Sequence, residues 1–198
     1  MSQKLPRELR IETLLNAAVE EFLIKGFDGA SVDTIAKRAG VSKGGFYHHF
    51  PNKETLLMET NRKLSEPIEE MAKRASRCES AVSGLKGFIR EYLSYWIDHP
   101  REMSFLFLSM SKAFESEILM TYYKEYVAAE TGFFVGMFSR AVEKGELALD
   151  DPEVYGVSLM GALDGMISYQ VIHPEEDIEA LSSRLEKIWL APARRDSP

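Results

Sequence analysis

The chain is nearly without cysteine. Cys78 stands alone among 198 residues, so no internal disulfide can form and no zinc site can be built on thiolates. A single thiol fits a reducing compartment, and Cys78 itself reads as a small helix residue. Long apolar runs are missing too: no stretch of eighteen apolar residues occurs, which argues against a membrane-spanning helix. The opening MSQKLPRELR has none of the apolar core a secretory signal needs, so a cytoplasmic protein is expected. Strand signals are scarce, with no long apolar–polar alternation and no Asn-Gly or Asp-Gly turn between β-rich runs. No nucleophile motif, paired-carboxylate constellation or phosphate loop stands out, so neither an enzyme nor a cofactor is expected.

Positive charge is also short. The formal net charge of −7 excludes a protein that coats nucleic acid over its whole surface. The deficit is uneven, however. Residues 1–53 carry eight Lys/Arg against six Asp/Glu, while residues 54–198 carry sixteen against twenty-five. A mildly basic head on an acidic body points to an anionic partner for the head alone.

What is present is helical periodicity. Ile11, Leu14, Leu15, Ala18, Val19, Phe22 and Leu23 recur at helical spacing, and Gly26 is placed to end that helix. Ser31 or Asp33 can cap a short second helix with Val32, Ile35, Ala36 and Ala39 on its buried side, and Gly40 stops it. Ser42 can cap a third helix over 43–49, closed by Phe50-Pro51, and Asn52 can cap the helix running into KETLLMETNRKL. Five further helices are predicted over 79–98, 101–114, 117–144, 152–172 and 175–190, with APARRDSP expected to fray. In the first of these Leu85, Phe88, Ile89, Tyr92, Leu93 and Trp96 share the buried face. The run FLFLSM is apolar almost all round, so 101–114 should be enclosed. Residues 117–144 would span about 40 Å at 1.5 Å per residue, and Asp150 or Asp151 would open the helix over 152–172. The fold class is therefore all-α, with about nine helices: a three-helix head over residues 1–53 and a larger helical body over 54–198.

Two short helices joined at Ala39-Gly40-Val41-Ser42 make a helix-turn-helix, whose second helix enters the major groove of DNA. Phe46 and Phe50 would anchor that helix on Leu15, Val19 and Phe22, leaving Lys43, Gly44, Tyr47 and His48 outward and His49 near the edge. Gly44 and Gly45 each cost roughly 1 kcal/mol of helix stability relative to Ala. In exchange they clear the helix start of side chains, so backbone N–H groups can approach a phosphate. A metal reading of His48 and His49 fails, because neighbours on a helix point about 100° apart. His99 and His173 each precede a proline and suit the last carbonyls of a helix.

Residues 7–57, RELRIETLLNAAVEEFLIKGFDGASVDTIAKRAGVSKGGFYHHFPNKETLL, closely resemble the DNA-binding head of the TetR/AcrR family of bacterial and archaeal repressors. The resemblance rests on the apolar first helix, Gly-Phe, Ser, Ile-Ala, Ala-Gly-Val-Ser, Phe-Tyr, His-Phe and Lys-Glu, and covers about a quarter of the chain. It implies that the Tyr47 hydroxyl and the Lys53 ammonium meet phosphates, and that Ser31 and Ser42 cap their helices and touch the backbone. Lys43 and His48 would read base edges, Lys43 suiting guanine O6/N7. Gly45 departs from the pattern, where the family often carries Thr or another DNA-touching side chain. Direct readout should therefore be thinner, with shape and water carrying more of it.

The resemblance also implies that the last two helices of each subunit pair as an isologous four-helix bundle. Here Gly156, Leu159, Gly161, Leu163 and Gly165 would contribute from 152–172, and Ile188 and Trp189 from 175–190. A two-fold dimer would set two reading helices about 34–36 Å apart on a palindromic operator. In the body, Phe88, Tyr92, Trp96, Phe105, Met110 and Phe114 form one half of a ring- and thioether-rich set. Tyr122, Tyr126, Phe133 and Met137 form the other half. These residues fit a cavity for an apolar effector and plain core packing equally well. In a cavity Tyr92, Tyr126, Asp164 or Gln170 would orient the ligand. The expected function is a homodimeric transcriptional repressor released from its operator by a small apolar or aromatic effector. The alternative is a DNA-binding protein of the same fold without small-molecule control.

Overall fold

The computed structural model describes residues 6–191. The tail beyond Ala191 and the first five residues of MSQKLPRELR lie outside the described residues. Among the described residues the regular structure is nine helices: α1 (Arg7–Gly29), α2 (Val32–Arg38), α3 (Lys43–His49), α4 (Lys53–Arg77), α5 (Ala81–Asp98), α6 (Pro100–Ala113), α7 (Glu117–Glu143), α8 (Pro152–Ile172) and α9 (Ile178–Trp189). The chain divides into two compact units, Met1–Glu66 with Arg101–Lys124 and Pro67–Pro100 with Glu125–Pro198.

In the first unit α1 buries Leu14, Leu15, Ala18, Val19 and Phe22 along its predicted face. Its regular run breaks at Gly26 (φ 71°), after which one more turn folds Phe27 back onto Phe22, ring centroids 5.2 Å apart. Gly26, whose φ and ψ are non-helical, thus ends the first helical run as expected, and a separate short turn follows it. Ser31, not Asp33, caps α2: its Oγ accepts from Thr34 N–H at 3.1 Å while Thr34 Oγ1 accepts from Ser31 N–H at 3.2 Å. Gly40 (φ 68°) takes the left-handed conformation that the turn into α3 requires, and Val41 N–H returns to Ala36 C=O at 3.0 Å. Asn52 Oδ1 accepts from Thr55 N–H at 2.8 Å and opens α4. That helix runs on through Pro67 to Arg77, beyond the KETLLMETNRKL segment.

Helix α6 departs from expectation. Only a narrow edge of Met103, Phe105, Ser109 and Ala113 is buried, while Phe107, Met110 and, just past the helix, Phe114 are exposed. Small residues at 109 and 113 let this edge approach its neighbours closely, so the apolar remainder turns outward. A buried polar triad joins three helices of this unit. Tyr123 O–H donates to Ser109 Oγ at 2.7 Å, and Asn61 Nδ2–H donates to Tyr123 Oη at 2.9 Å and to Ser109 Oγ. Burial pushes the Tyr123 hydroxyl up to about 12, so it stays a neutral donor.

In the second unit α5 buries Leu85, Phe88, Ile89, Tyr92, Leu93 and Trp96, the predicted face, and packs against α8 and α9. Ser80 caps α5 through Ser83 N–H at 3.0 Å, and the Glu146 carboxylate accepts from Val82 N–H at 2.8 Å and Ala81 N–H at 3.2 Å. Helix α7 stops before Gly145, and Asp151 caps α8 through Glu153 and Val154 N–H. The last helix is shorter than predicted, because Asp177 accepts from Ala180 N–H at 3.1 Å and sets its start at 178.

Candidate functional site

The seven residues of α3 are held by one buried side chain. Phe46 is fully buried in the core with Leu14, Leu15, Val19 and Phe22, and Phe50 closes the end of the helix. Ser42 Oγ accepts from Gly45 N–H at 3.1 Å and fixes the start. With Phe46 inward, Ser42, Lys43, Gly44, Tyr47 and His48 form an exposed face, and Gly45 is half-buried beside Ser42. Tyr47 is 50% exposed, its ring edge-on to Phe46 at 5.4 Å. A Cβ on Gly44 would meet no atom closer than Ser42 Oγ at 4.0 Å, so packing does not demand glycine there. His49 is half-buried, with Nε2 enclosed and without a hydrogen-bond partner among the described residues. Burial first, then the charges of His48, Arg10 and Arg7, hold its pKa below the ordinary histidine range.

Two polar ties, at Glu21 and Lys53, brace this face, and an exposed ion pair, Asp33–Lys43, lies on it. Sequence reasoning passed over Glu21 and read Asp33 only as a cap candidate. Glu21, only 3% exposed on α1, accepts from Arg38 of α2 and from Lys25. The Lys25 and Arg38 cations hold its pKa down at about 2. The i, i+4 spacing of Glu21 and Lys25 was a legible signal; the contact to Arg38 was not. Asp33 of α2 pairs with Lys43 of α3 at 2.8 Å. Lys53, expected at a phosphate, donates to Phe27 C=O at 2.7 Å and Ala30 C=O at 2.8 Å, and sits 4.6 Å from the Phe27 ring centroid. Two of its three N–H donors are thus committed inside the fold.

The structure divides the residues singled out for an effector. Phe88, Tyr92, Trp96, Tyr126, Phe133, Met137, Asp164 and Gln170 belong to the second unit; Phe105, Met110, Phe114 and Tyr122 belong to the first. Met110 and Phe114 are 46% and 76% exposed, which corrects their placement in a pocket lining. Phe105 is fully buried and packs against Phe22 at 6.1 Å, a core contact. Within the second unit the rings touch one another: Phe88 lies 5.0 Å from Phe133 and 5.5 Å from Tyr92, and Tyr92 lies 6.2 Å from Trp96. Beside them Tyr92 O–H donates to Asp164 at 3.1 Å and Tyr126 O–H to Glu130 at 2.7 Å. Burial, opposed by Tyr126 and aided by Asp164, pushes Glu130 up to about 7. Partial desolvation raises Asp164, which keeps an exposed side, and burial raises Tyr92 well above the ordinary tyrosine range. The Gln170 side-chain amide is engaged with the chain itself, its Nε2–H donating to Glu176 C=O at 3.0 Å.

The residues expected at a subunit interface divide as well. Leu159 and Leu163 are buried within the chain and cannot meet a second copy. Gly156 is also internal: a Cβ there would fall 2.7 Å from Val135 N and 2.9 Å from its Cα, so α8 crosses α7 at this glycine. Trp189 is half-buried with its ring edge-on to Tyr155 at 6.0 Å, whereas Ile188 is 67% exposed. Gly161 and Gly165 face open space. They share the outer face of α8 with Val154, Val157 and Ile172, exposed by 58%, 46% and 73%, which sequence reasoning missed.

Among the described residues no helix is long and apolar enough to cross a membrane, and no group of three His, Cys, Asp or Glu side chains is placed to hold a metal ion. Residues 14–60 match the family described as bacterial regulatory proteins, tetR family. Over 162 residues the chain is 28% identical to the transposon Tn10 TetC protein of Escherichia coli, covering 82% of this chain and 78% of that one. It is 26% identical to the fatty acid metabolism regulator protein of Bacillus subtilis, covering 96% and 97%. The fold superposes with a TM-score of 0.74, at 22% identity and over 91% of this chain and 97% of the other, on the transcriptional regulator FadR from Bacillus subtilis in complex with stearoyl-CoA. The family match over residues 14–60, together with these relatives, supports a TetR-family regulator with its helix-turn-helix at the N-terminus.

Proposed function

We propose that the protein is a cytoplasmic, homodimeric repressor whose α3 reads a palindromic operator and whose second unit takes a small apolar effector. The observation that carries the dimer is α8. Its inner face is buried by Leu159, Leu163 and Ile167, yet its outer face is also apolar, with Val154, Val157 and Ile172 exposed around the open Gly161 and Gly165. A helix apolar on two opposite faces that leaves one of them in water lacks a partner. The small residues let a second α8 cross closely, and the same surface on both copies gives a two-fold pair. Ile188 of α9 extends that face.

DNA reading rests on the exposed Lys43, Tyr47 and His48, on the Ser31 and Ser42 ends of α2 and α3, and on Gly44, where packing leaves glycine optional. The one uncommitted N–H of Lys53 is available to a phosphate. An apolar effector is supported by the ring cluster of the second unit, by a relative named for fatty acid metabolism and by a fold neighbour solved with stearoyl-CoA. Such a ligand separates the two heads to the extent that it binds the wide-spaced form better. The close ring contacts favour a second reading, a filled core and a regulator that answers to another protein. Melting curves with acyl thioesters and with aromatic compounds separate the two, since only the first reading expects a shift.

Sedimentation of the purified chain with footprinting of the DNA upstream of its own gene tests the main reading. A dimer at micromolar concentration and a protected palindrome whose occupancy falls steeply with salt are expected. A monomer that protects nothing there overturns it.

A further inference from the structure

The exposed pair Asp33–Lys43 has no evident part in holding the fold. Both side chains are more than half exposed, at 64% and 55%, with Nζ 2.8 Å from Oδ2. Helix α2 already has its reciprocal cap from Ser31 and Thr34, α3 has Ser42, and Ile35, Ala36 and Phe46 bury the contact between them. An exposed ion pair adds little to such an arrangement. Its position is the informative part. Glu20, Glu21 and Asp28 pair with Arg101, with Arg38 and Lys25, and with Lys112, whereas Asp33 is the acid of this unit whose ion pair reaches α3. A carboxylate at hydrogen-bond distance from an ammonium presents to it what a phosphate or a guanine O6 would present.

We propose that Asp33 is a specificity-determining residue: its carboxylate occupies the Lys43 ammonium until a correctly placed base acceptor displaces it. This rests on α3 being the helix that reads DNA. On random sequence Lys43 gains only a phosphate in exchange for the carboxylate, and Asp33 then faces the backbone as an uncompensated anion. At the operator a base edge replaces Asp33 in a directed contact, and the other contacts hold the head in place. Asp33 therefore weakens non-specific binding, which is almost wholly electrostatic, more than it weakens specific binding.

The test measures binding of the intact protein to its footprinted site and to a scrambled duplex of equal length, across a salt series. Asp33→Asn should raise affinity for scrambled DNA about five-fold at 0.1 M salt, raise operator affinity less, and steepen the salt slope by about 0.9. Asp33→Glu, which keeps a carboxylate within reach of Lys43, should behave as wild type. In a Lys43→Gln background Asp33→Asn should change the operator-to-scrambled ratio little, since the ammonium it guards is gone. An equal gain with and without Lys43 would reduce Asp33 to a subtracted charge and overturn the proposal, as would an unchanged ratio in folded Asp33→Asn protein. A wild-type chain that binds both duplexes alike removes the reading of α3 itself, a failure visible before any variant is made.

Discussion

The guanidinium of Arg38 on α2 closes on one carboxylate oxygen of Glu21 on α1, with Nε at 2.8 Å and Nη2 at 2.7 Å, while Lys25 Nζ holds the other oxygen at 2.7 Å. The carboxylate is buried and both cations keep one side in water. Coulombic gain is therefore retained without burying three charges together. This tie joins α2 to α1 beside the apolar contacts of Ile35 and Ala36.

Glu21 makes stability acid-labile in a defined window. Its pKa is lowered from 4.5 to about 2 in the fold, so the unfolded chain binds a proton first as pH falls. The stabilisation is fully present above pH 4.5 and is lost between there and about 2. Glu21→Gln should remove that acid-dependent loss and lower stability at neutral pH by roughly 1.5–3 kcal/mol, read by urea unfolding at pH 7 and pH 3.

Glu130 has the opposite sign. Burial raises it from 4.5 to about 7 beside Tyr126 of α7 and Asp164 of α8, with Tyr92 of α5 donating to Asp164. Between those two pH values the folded chain holds a proton that the unfolded chain has released, so this group lowers stability as pH rises. Glu130→Gln should melt higher than wild type at pH 8 and nearly alike at pH 5. Equal differences at both pH values would mean that Glu130 stays ionised throughout.

How far these features were legible depends on how local their causes are. The caps Ser42 and Asn52, the left-handed Gly40, and α8 from Pro152 to Ile172 follow from residues within one turn of one another. The passage of α4 through Pro67 does not, because a local rule weighs the proline without the burial of Ile68, Met71 and Ala75 that follow it. Helix α6 was misread because an all-apolar run hides which edge is inward. Tertiary packing chose the edge with small Ser109 and Ala113. The Asn61–Ser109–Tyr123 triad joins positions 48 and 62 residues apart, a distance no periodicity reports. At the candidate site the exposed face of α3 was readable, while Asp33 and Glu21 became visible only with their partners.

Two glycines of α8 should respond in opposite ways. Gly156→Ala drives a methyl to 2.7 Å from the Val135 backbone nitrogen, and backbone cannot step aside as a side chain can. A loss of roughly 1–3 kcal/mol is expected in thermal unfolding. Gly161 faces open space, so Gly161→Leu leaves the single chain's packing intact. Its effect should appear instead as a dimer dissociation constant raised by about ten-fold or more, measured by sedimentation. A Gly161→Leu chain that dimerises normally would move the interface off this face of α8.

Lys53 carries two tasks that one substitution can separate. Its ammonium ties the Phe27 and Ala30 carbonyls, at the end of α1 and the approach to α2, to the first residue of α4. Lys53→Met keeps the stem over the Phe27 ring but leaves both carbonyls without that donor, so the melting temperature should fall. If the remaining N–H meets a phosphate, the salt slope of operator binding should also become shallower by about 0.9, with affinity lowered alike on operator and scrambled duplex. A lower melting temperature with an unchanged slope would confine Lys53 to holding the head together, and the phosphate contact would have to come from another cation of the exposed face.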